Sequence, residues 1–159
     1  MTNMFLLREV LKADLPTFFT YQLDPEANAM AAFTAKDSTN RQAFMAHWHR
    51  NMADPSNIIR TIVVDGQVAG SVSSYVDADH LEVTYWLGKS YWGQGIATQA
   101  LRAFLTQVNT SRPMYARAAK DNVGSLRVLQ KCGFTIVGED KGFANARGAE
   151  VEEYLLMLE

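Results

Sequence analysis

Two glycines one residue apart sit inside Tyr91-Trp92-Gly93-Gln94-Gly95-Ile96-Ala97-Thr98, between a strand-like run (Leu81 to Leu87) and a helix-like run (Gln94 to Val108). Glycine tolerates unusual dihedrals and lets a ligand come close to the backbone. A following helix adds unpaired N–H groups and the positive end of its dipole. A loop of this kind can wrap a phosphate in backbone donors, so a phosphorylated ligand is expected here. A tight strand-to-helix turn is the plainer alternative. Two other phosphate motifs do not fit. Gly-x-Gly-x-x-Gly would need glycine where Thr98 stands, and the Gly-Lys-Ser/Thr of a Walker loop is absent. The loop also lies mid-chain after several strands, not after the first strand as in a dinucleotide fold.

A second polar block, Asp121-Asn122-Val123-Gly124-Ser125, opens a helical stretch that closes at Lys131-Cys132-Gly133-Phe134. Asn122 suits a helix start, where it would cap its own backbone, and its amide could also reach a ligand. Ser125, three residues on, shares its helical face and is a candidate site residue; an ordinary helix serine is the alternative. Glu82 is a candidate site residue on the Leu81 to Leu87 run. Strand alternation puts Glu82, Thr84 and Trp86 on one face and Val83, Tyr85 and Leu87 on the other, and leaves open which face meets a substrate. A solvated or ion-paired strand residue is an equal reading of Glu82.

The remaining chemistry-bearing residues have plainer readings. His47 and His49 are two apart on a helix and face different sides, whereas a metal pair prefers a spacing of four. His80 reads as a turn residue. Cys132 is the single cysteine, which excludes an internal disulfide and a cysteine metal cluster. It reads as a small core residue, with no Cys/His pairing for nucleophilic catalysis. No metal site is expected. Met30, Phe33 and Trp48 could line a pocket, with core packing favoured for Trp48. Glu150, Glu152 and Glu153 could attract a cation but read more simply as a solvated edge.

The elements that must position these groups follow from periodicity and turn chemistry. Met4 to Val10 reads as a strand. A helix begins at Asp14, with Pro16 in its first turn. Leu23 to Asp37 reads as irregular. Thr39 with Gln42 has capping-box spacing and would open a helix with Phe44, Trp48 and Met52 on one face. Asn57 to Val64 and Gln67 to Val76 read as strands joined by Asp65-Gly66, a strong hairpin signal. Leu101, Phe104, Leu105 and Val108 form a buried helical stripe. Met114 to Ala119 is a strand, and Asp121 to Cys132 a helix stopped by Gly133. Phe134 to Gly138 and Val151 to Leu158 close the chain as strands around a polar loop, Glu139 to Glu150. The order β α α β β β α β α β β is that of a layered α/β domain whose first half is mostly antiparallel.

With 159 residues, 48% hydrophobic and 20% charged, the chain suits a single domain spanning 1–159. A net charge of -2 gives no electrostatic case for nucleic acid or an anionic membrane as partner. No apolar run reaches transmembrane length. Met1 to Arg8 lacks a signal-peptide pattern, so a cytoplasmic location is expected.

Taken together, the two blocks resemble the GNAT superfamily of acetyl-coenzyme A-dependent N-acetyltransferases. Gly95 and Ala97 occupy the last two positions of that family's Gln/Arg-x-x-Gly-x-Gly/Ala loop. Asn122 to Ser125 and Lys131 to Phe134 match its Asn-x-x-Ser/Ala…Lys-x-Gly-Phe segment. The stretch from Tyr85-Trp86-Leu87 to Tyr91-Trp92-Gly93-Gln94-Gly95 is most similar to the branch of ribosomal-protein N-terminal acetyltransferases. The resemblance implies a mixed, largely antiparallel sheet flanked by about four helices. It implies acetyl-coenzyme A as co-substrate and a primary amine as acceptor, either a protein N-terminus or a small molecule. The pantetheine arm would lie along Tyr85, Trp86 and Leu87, with the N–H of Tyr85 facing the thioester carbonyl. The pyrophosphate would rest on the N–H groups of Gly93, Gln94, Gly95, Ala97 and Thr98. Asn122 would hold the pantetheine, Ser125 would reach the sulfur as the candidate proton donor, and Glu82, on the strand beside the thioester, would be the candidate general base, acting through water. Two positions depart from the family pattern. Trp92 stands where Gln or Arg is usual, and Leu129 where many members carry a tyrosine that protonates the leaving thiolate. The second departure motivates an alternative, a coenzyme A-binding sensor or interaction module without turnover. A homodimer through a closing strand is compatible with the sequence, though nothing in it argues for one.

Overall fold

Hairpin chemistry builds the first half of the sheet in a computed structural model that describes residues 4–159; residues 1–3, with which the stretch read for a leader begins, lie outside the described residues. Strands β1 (Phe5–Glu9), β2 (Ile58–Val64), β3 (Gln67–Asp77) and β4 (His80–Leu87) form an antiparallel meander. Asp65 and Gly66 both take positive φ, 49° and 79°, as the tight turn between β2 and β3 requires. The second half holds β5 (Met114–Ala119), β6 (Thr135–Ala144) and β7 (Ala149–Leu158). The order across the seven strands is β1-β2-β3-β4-β5-β7-β6. Every pairing is antiparallel except β4 with β5, which is parallel and registers at one place, Glu82 opposite Tyr115.

Among the described residues five α-helices cover the sheet: α1 (Leu15–Gln22), α2 (Pro25–Ala31), α3 (Arg41–Ala53), α4 (Ile96–Ala103) and α5 (Val123–Lys131). Helix α4 lays Ile96 and Leu101, and the turn that follows it Phe104 and Leu105, on Ile62, Val72, Val83 and Leu87, all buried. Thr61, on the opposite face of β2 from Ile62, donates to the buried Asp14 carboxylate at the start of α1 (2.7 Å). Alternation along β2 therefore places α1 on the other side of the sheet. Burial pushes the Asp14 carboxyl up. The Arg8 guanidinium, the Leu11 N–H and the Thr61 hydroxyl outweigh this and hold it below its ordinary value. Trp48 of α3 packs on Phe18 of α1, ring centroids 4.9 Å apart, and is half-buried.

Several local readings are corrected. The stretch read as irregular contains α2, which Asp24 caps by accepting the Ala27 N–H (3.0 Å), with Pro25 at its first position. A seven-residue helix is too short to show a 3.6-residue period. The cap of α3 is Asn40, which accepts the Ala43 N–H (3.0 Å). Thr39 is drawn instead to Asp37, its hydroxyl donating at 2.6 Å. Helix α4 starts at Ile96, two residues after Gln94, because Gly95 just before it takes φ 76°. Phe104–Val108 winds as a π-helical turn. The polar loop of 139–150 is mostly strand, since β6 and β7 pair from Thr135↔Met157 to Ala144↔Ala149. Its charges pair at the surface, Lys120 with Glu139 and Glu152 (3.1 and 2.8 Å) and Lys141 with Glu150 (3.6 Å), and these glutamates stay solvent-exposed.

Candidate active site

Beyond Glu82 the strands β4 and β5 part, and a cleft of about 650 Å³ opens between them. Its walls include Thr84 to Leu87 of β4, Arg117 to Ala119 of β5, the loop from Tyr91 to α4, and α5. The edge of β4 facing the cleft has no strand partner past Glu82 among the described residues, so its backbone groups are available to a ligand.

The glycine loop closes one end. Gly93 and Gly95 both have positive φ, 75° and 76°. A Cβ built on Gly93 would meet nothing within 4 Å, and one on Gly95 only the Gln99 amide nitrogen at 3.8 Å. Packing within the protein therefore does not demand glycine here. The backbone conformation does, and the missing side chains leave the cleft wall open to a ligand. Gly95 ends the loop at the first turn of α4, where N–H groups have no partner within the helix. Trp92 fastens the loop by donating its indole N–H to the Leu87 carbonyl (2.9 Å). Gly93, Gly95, Ala97 and Thr98 all line the cleft. Gln94 does not, and its side-chain amide donates to the Ser90 carbonyl (3.0 Å).

At the inner end stand Tyr85, Asn122 and Ser125. Asn122 caps α5 by accepting the Ser125 N–H (3.2 Å) and donates to the Met30 carbonyl of α2 (3.2 Å). Both readings of Asn122 can hold together, since its amide nitrogen keeps a second N–H. The Tyr85 phenol donates to Ser125 Oγ (3.3 Å), which leaves the serine its own proton to give. Burial pushes the Tyr85 phenol above its ordinary value, and the Ser125 hydrogen bond opposes this only in part, so the phenol stays protonated. Leu129, on the same helix, is buried in the core.

Glu82 lies on the opposite face of β4 from Tyr85. It is only 2% exposed and off the cleft wall, and its carboxylate is 3.4 Å from Arg117 Nε. Burial pushes its pKa up, Asp77 adds to the rise, and Arg117 opposes both. Arg117 does line the cleft, and also holds Glu153 (2.9 Å) and Asp140 (3.5 Å). Arg117 was not singled out from the sequence, because a lone arginine between alanines on a strand carries no spacing signal. Met30, Phe33 and Thr34 line the remaining mouth.

The histidines stand apart from this cleft. His47 meets Asn51 (3.1 Å), and His80 stacks on Tyr115 with centroids 4.3 Å apart. Burial pushes the Cys132 thiol up, and its sulfur faces the Thr98 carbonyl (3.6 Å), which suits packing and not nucleophilic attack. Among the described residues no group of three or more His, Cys, Asp or Glu is placed to hold a metal ion. No helix among them is long and apolar enough to cross a membrane.

Comparison with known proteins adds to this geometry. The family described as "Acetyltransferase (GNAT) domain" matches residues 5–135. A Bacillus subtilis protein that bears the name "Putative ribosomal N-acetyltransferase YdaF" is 28% identical over 129 residues, 75% of this chain and 69% of its own. The microcin C7 self-immunity acetyltransferase MccE, solved with acetyl-CoA and AMP, superposes with a TM-score of 0.79 at 19% identity over 97% of this chain and 91% of that one. RimL, a ribosomal L7/L12 alpha-N-protein acetyltransferase solved with coenzyme A, gives 0.79 at 22% identity, covering 95% and 92%.

Proposed function

This chain belongs to the GNAT family of N-acetyltransferases, and on that premise we propose that it carries an acetyl group from acetyl-coenzyme A to a primary amine by direct attack in a ternary complex. The observation that supports this reading is one continuous cleft running from an open glycine loop to the Tyr85–Ser125 pair. In it the pyrophosphate meets backbone donors at 93–98. The pantetheine lies on the free edge of β4 along Tyr85, Trp86 and Leu87, and the remaining N–H of Asn122 holds it from α5.

The amine nitrogen attacks the thioester carbon, and the carbonyl π pair moves to oxygen. The Tyr85 backbone N–H receives that oxyanion. A single donor of this kind is worth ~2.7–4 kcal/mol in the transition state, and positioning of the reactants ~7–11 kcal/mol. The C–S bond then breaks and the electron pair leaves on sulfur. Ser125 gives its proton to that thiolate and takes one from the Tyr85 phenol, which regains a proton from solvent as the thiol departs. These two hydroxyls take the role of the tyrosine absent at Leu129. The proton lost by nitrogen goes through water to Glu82, whose raised pKa makes it a better base near neutrality.

A protein N-terminus suits this site, because an α-amino group has a pKa of about 7.7–8.0 and needs less help than a lysine at about 10.4. The names of YdaF and RimL favour the same acceptor class. Behind the cleft wall, Glu82, Asp140 and Glu153 surround the guanidinium of Arg117, so the local charge favours an ammonium in the cleft. The test is calorimetric titration with acetyl-coenzyme A and with coenzyme A, followed by thiol release over a panel of N-terminal peptides and small amines. Micromolar binding with acceptor-dependent thiol release is expected. No binding to folded protein would overturn the reading.

A further inference from the structure

Arg117 stands where the sheet parts. Counting two residues along each strand from the parallel register of Glu82 with Tyr115 brings Thr84 of β4 level with Arg117 of β5, across the gap. Tyr85, whose backbone N–H is assigned to the oxyanion, is the next residue on β4. Arg117 meets Glu82, so these two side chains share one face of the sheet. The Tyr85 side chain and Ser125 lie on the other face, by strand alternation. The thiol leaves toward Ser125, and the amine comes from the face that carries Glu82 and Arg117. The guanidinium on that face is only partly engaged. Nη1 donates to Glu153 (2.9 Å) and Asp140 (3.5 Å), and Nε faces Glu82 (3.4 Å). Nη2 donates no hydrogen bond among the described residues. The arginine side chain lines the cleft and is 34% exposed, against 2% for Glu82. Two of its three nitrogens are held by carboxylates, and the third is left for a ligand.

A guanidinium nitrogen carries only donors, so the group it takes must supply an acceptor atom. Three carboxylates close by favour a cation in the cleft and repel an anion. A neutral carbonyl beside an amine satisfies both conditions. The N-terminus of a peptide has that pattern, with a carbonyl on the carbon next to the one that bears the amine. An alkylamine or a polyamine lacks the carbonyl, and a free amino acid presents a carboxylate in its place. Resting on the acetyl-transfer reading above, we propose that Arg117 is a specificity-determining residue, which donates from Nη2 to the first carbonyl of an α-aminoacyl acceptor. It thereby selects a peptide N-terminus over amines with no neutral carbonyl at that position.

The test measures acetyl-coenzyme A-dependent thiol release with alaninamide, isopropylamine and alanine, on the wild-type chain and on Arg117→Lys. Lysine keeps the charge, but its three N–H donors are taken up by the three carboxylates, so none is left for an acceptor. The amines differ in basicity, and they differ alike for both proteins, so the readout is the loss of kcat/KM that the substitution causes for each. The loss should be roughly tenfold or more greater for alaninamide than for isopropylamine, the worth of a hydrogen bond to a charged group. Equal losses would mean that Arg117 acts only by holding Glu82, and the proposal falls. A loss greatest for alanine would assign Nη2 to a carboxylate and overturn the neutral carbonyl. A second measurement needs no variant. N-acetylalaninamide should inhibit the wild-type chain roughly tenfold better than N-isopropylacetamide, which lacks the second carbonyl; equal inhibition would overturn the proposal. A wild-type chain that releases no thiol with any of the three amines instead removes the acetyl-transfer reading, and the proposal with it.

Discussion

Tyr85 offers the cleft two atoms that strand geometry keeps apart. Its backbone lies in the plane of the sheet and its side chain stands across it. The N–H can thus face a thioester while the phenol reaches Ser125 (3.3 Å). Ser125→Ala should lower kcat by roughly a hundredfold, the lower range for a lost general acid, with little change in the Kd for acetyl-coenzyme A. Tyr85→Phe should cost only about fivefold, the worth of one hydrogen bond, and nothing further in the Ser125→Ala background. Equal and additive losses from the two would separate the residues and end the relay. Glu82 makes a different prediction. The base is the carboxylate, so kcat/KM should fall as pH drops through a pKa raised above the ordinary carboxylate value by burial. Glu82→Gln should remove that acid limb together with at least tenfold of the rate; a limb that persists in the variant would assign the base elsewhere. Asn122, Ser125 and the loop glycines were legible in the sequence because each sits in a short local pattern. The Tyr85 side chain was not, because its partner is 40 residues away. Arg117 was not, because its partners come from β4, β6 and β7.

At the scale of elements, the glycine loop and α4 work as one unit. Gly95 supplies both the positive φ that lets the strand side turn into the helix and the open surface beside it. A residue with a Cβ in that conformation carries ~1–2 kcal/mol of strain. Gly95→Trp adds an indole on the cleft side, so calorimetry should find no acetyl-coenzyme A binding while circular dichroism stays that of the wild type. Gly95→Ala separates the two contributions, because it carries the strain without filling the cleft; unchanged affinity in the tryptophan variant would sink the cradle assignment. The elements read well from the sequence were those with short-range signals. Asp65-Gly66 was one, and the Leu101, Phe104, Leu105 and Val108 stripe another. β6 was misread because Gly138, Gly142 and three successive charges from Glu139 to Lys141 break any apolar alternation. Its strand character comes from cross-strand pairing with β7, which no local window contains. α2 was misread because its start signals, Asp24 and Pro25, precede a run too short to show a buried stripe.

Across the whole molecule, four strands on one side and three on the other meet at a single parallel register, Glu82 opposite Tyr115. That connectivity makes the sheet two plates joined at one rivet, with helices spanning the gap. A pantetheine arm lying against the free edge of β4 would act as a substitute strand and stiffen the joint. Ligand at a hundred times its Kd adds ~2.7 kcal/mol of stability, and the gain should be localised. Hydrogen–deuterium exchange with saturating coenzyme A should slow at the amides of 84–87 and 117–119 and stay unchanged in β1 and β2; uniform protection would mean that the plates never moved independently. Departure of the spent thiol is then a mechanical event as much as a chemical one. The turnover ceiling would be set by how often the plates breathe apart, and a clamp added across the gap would slow the enzyme while raising its melting point.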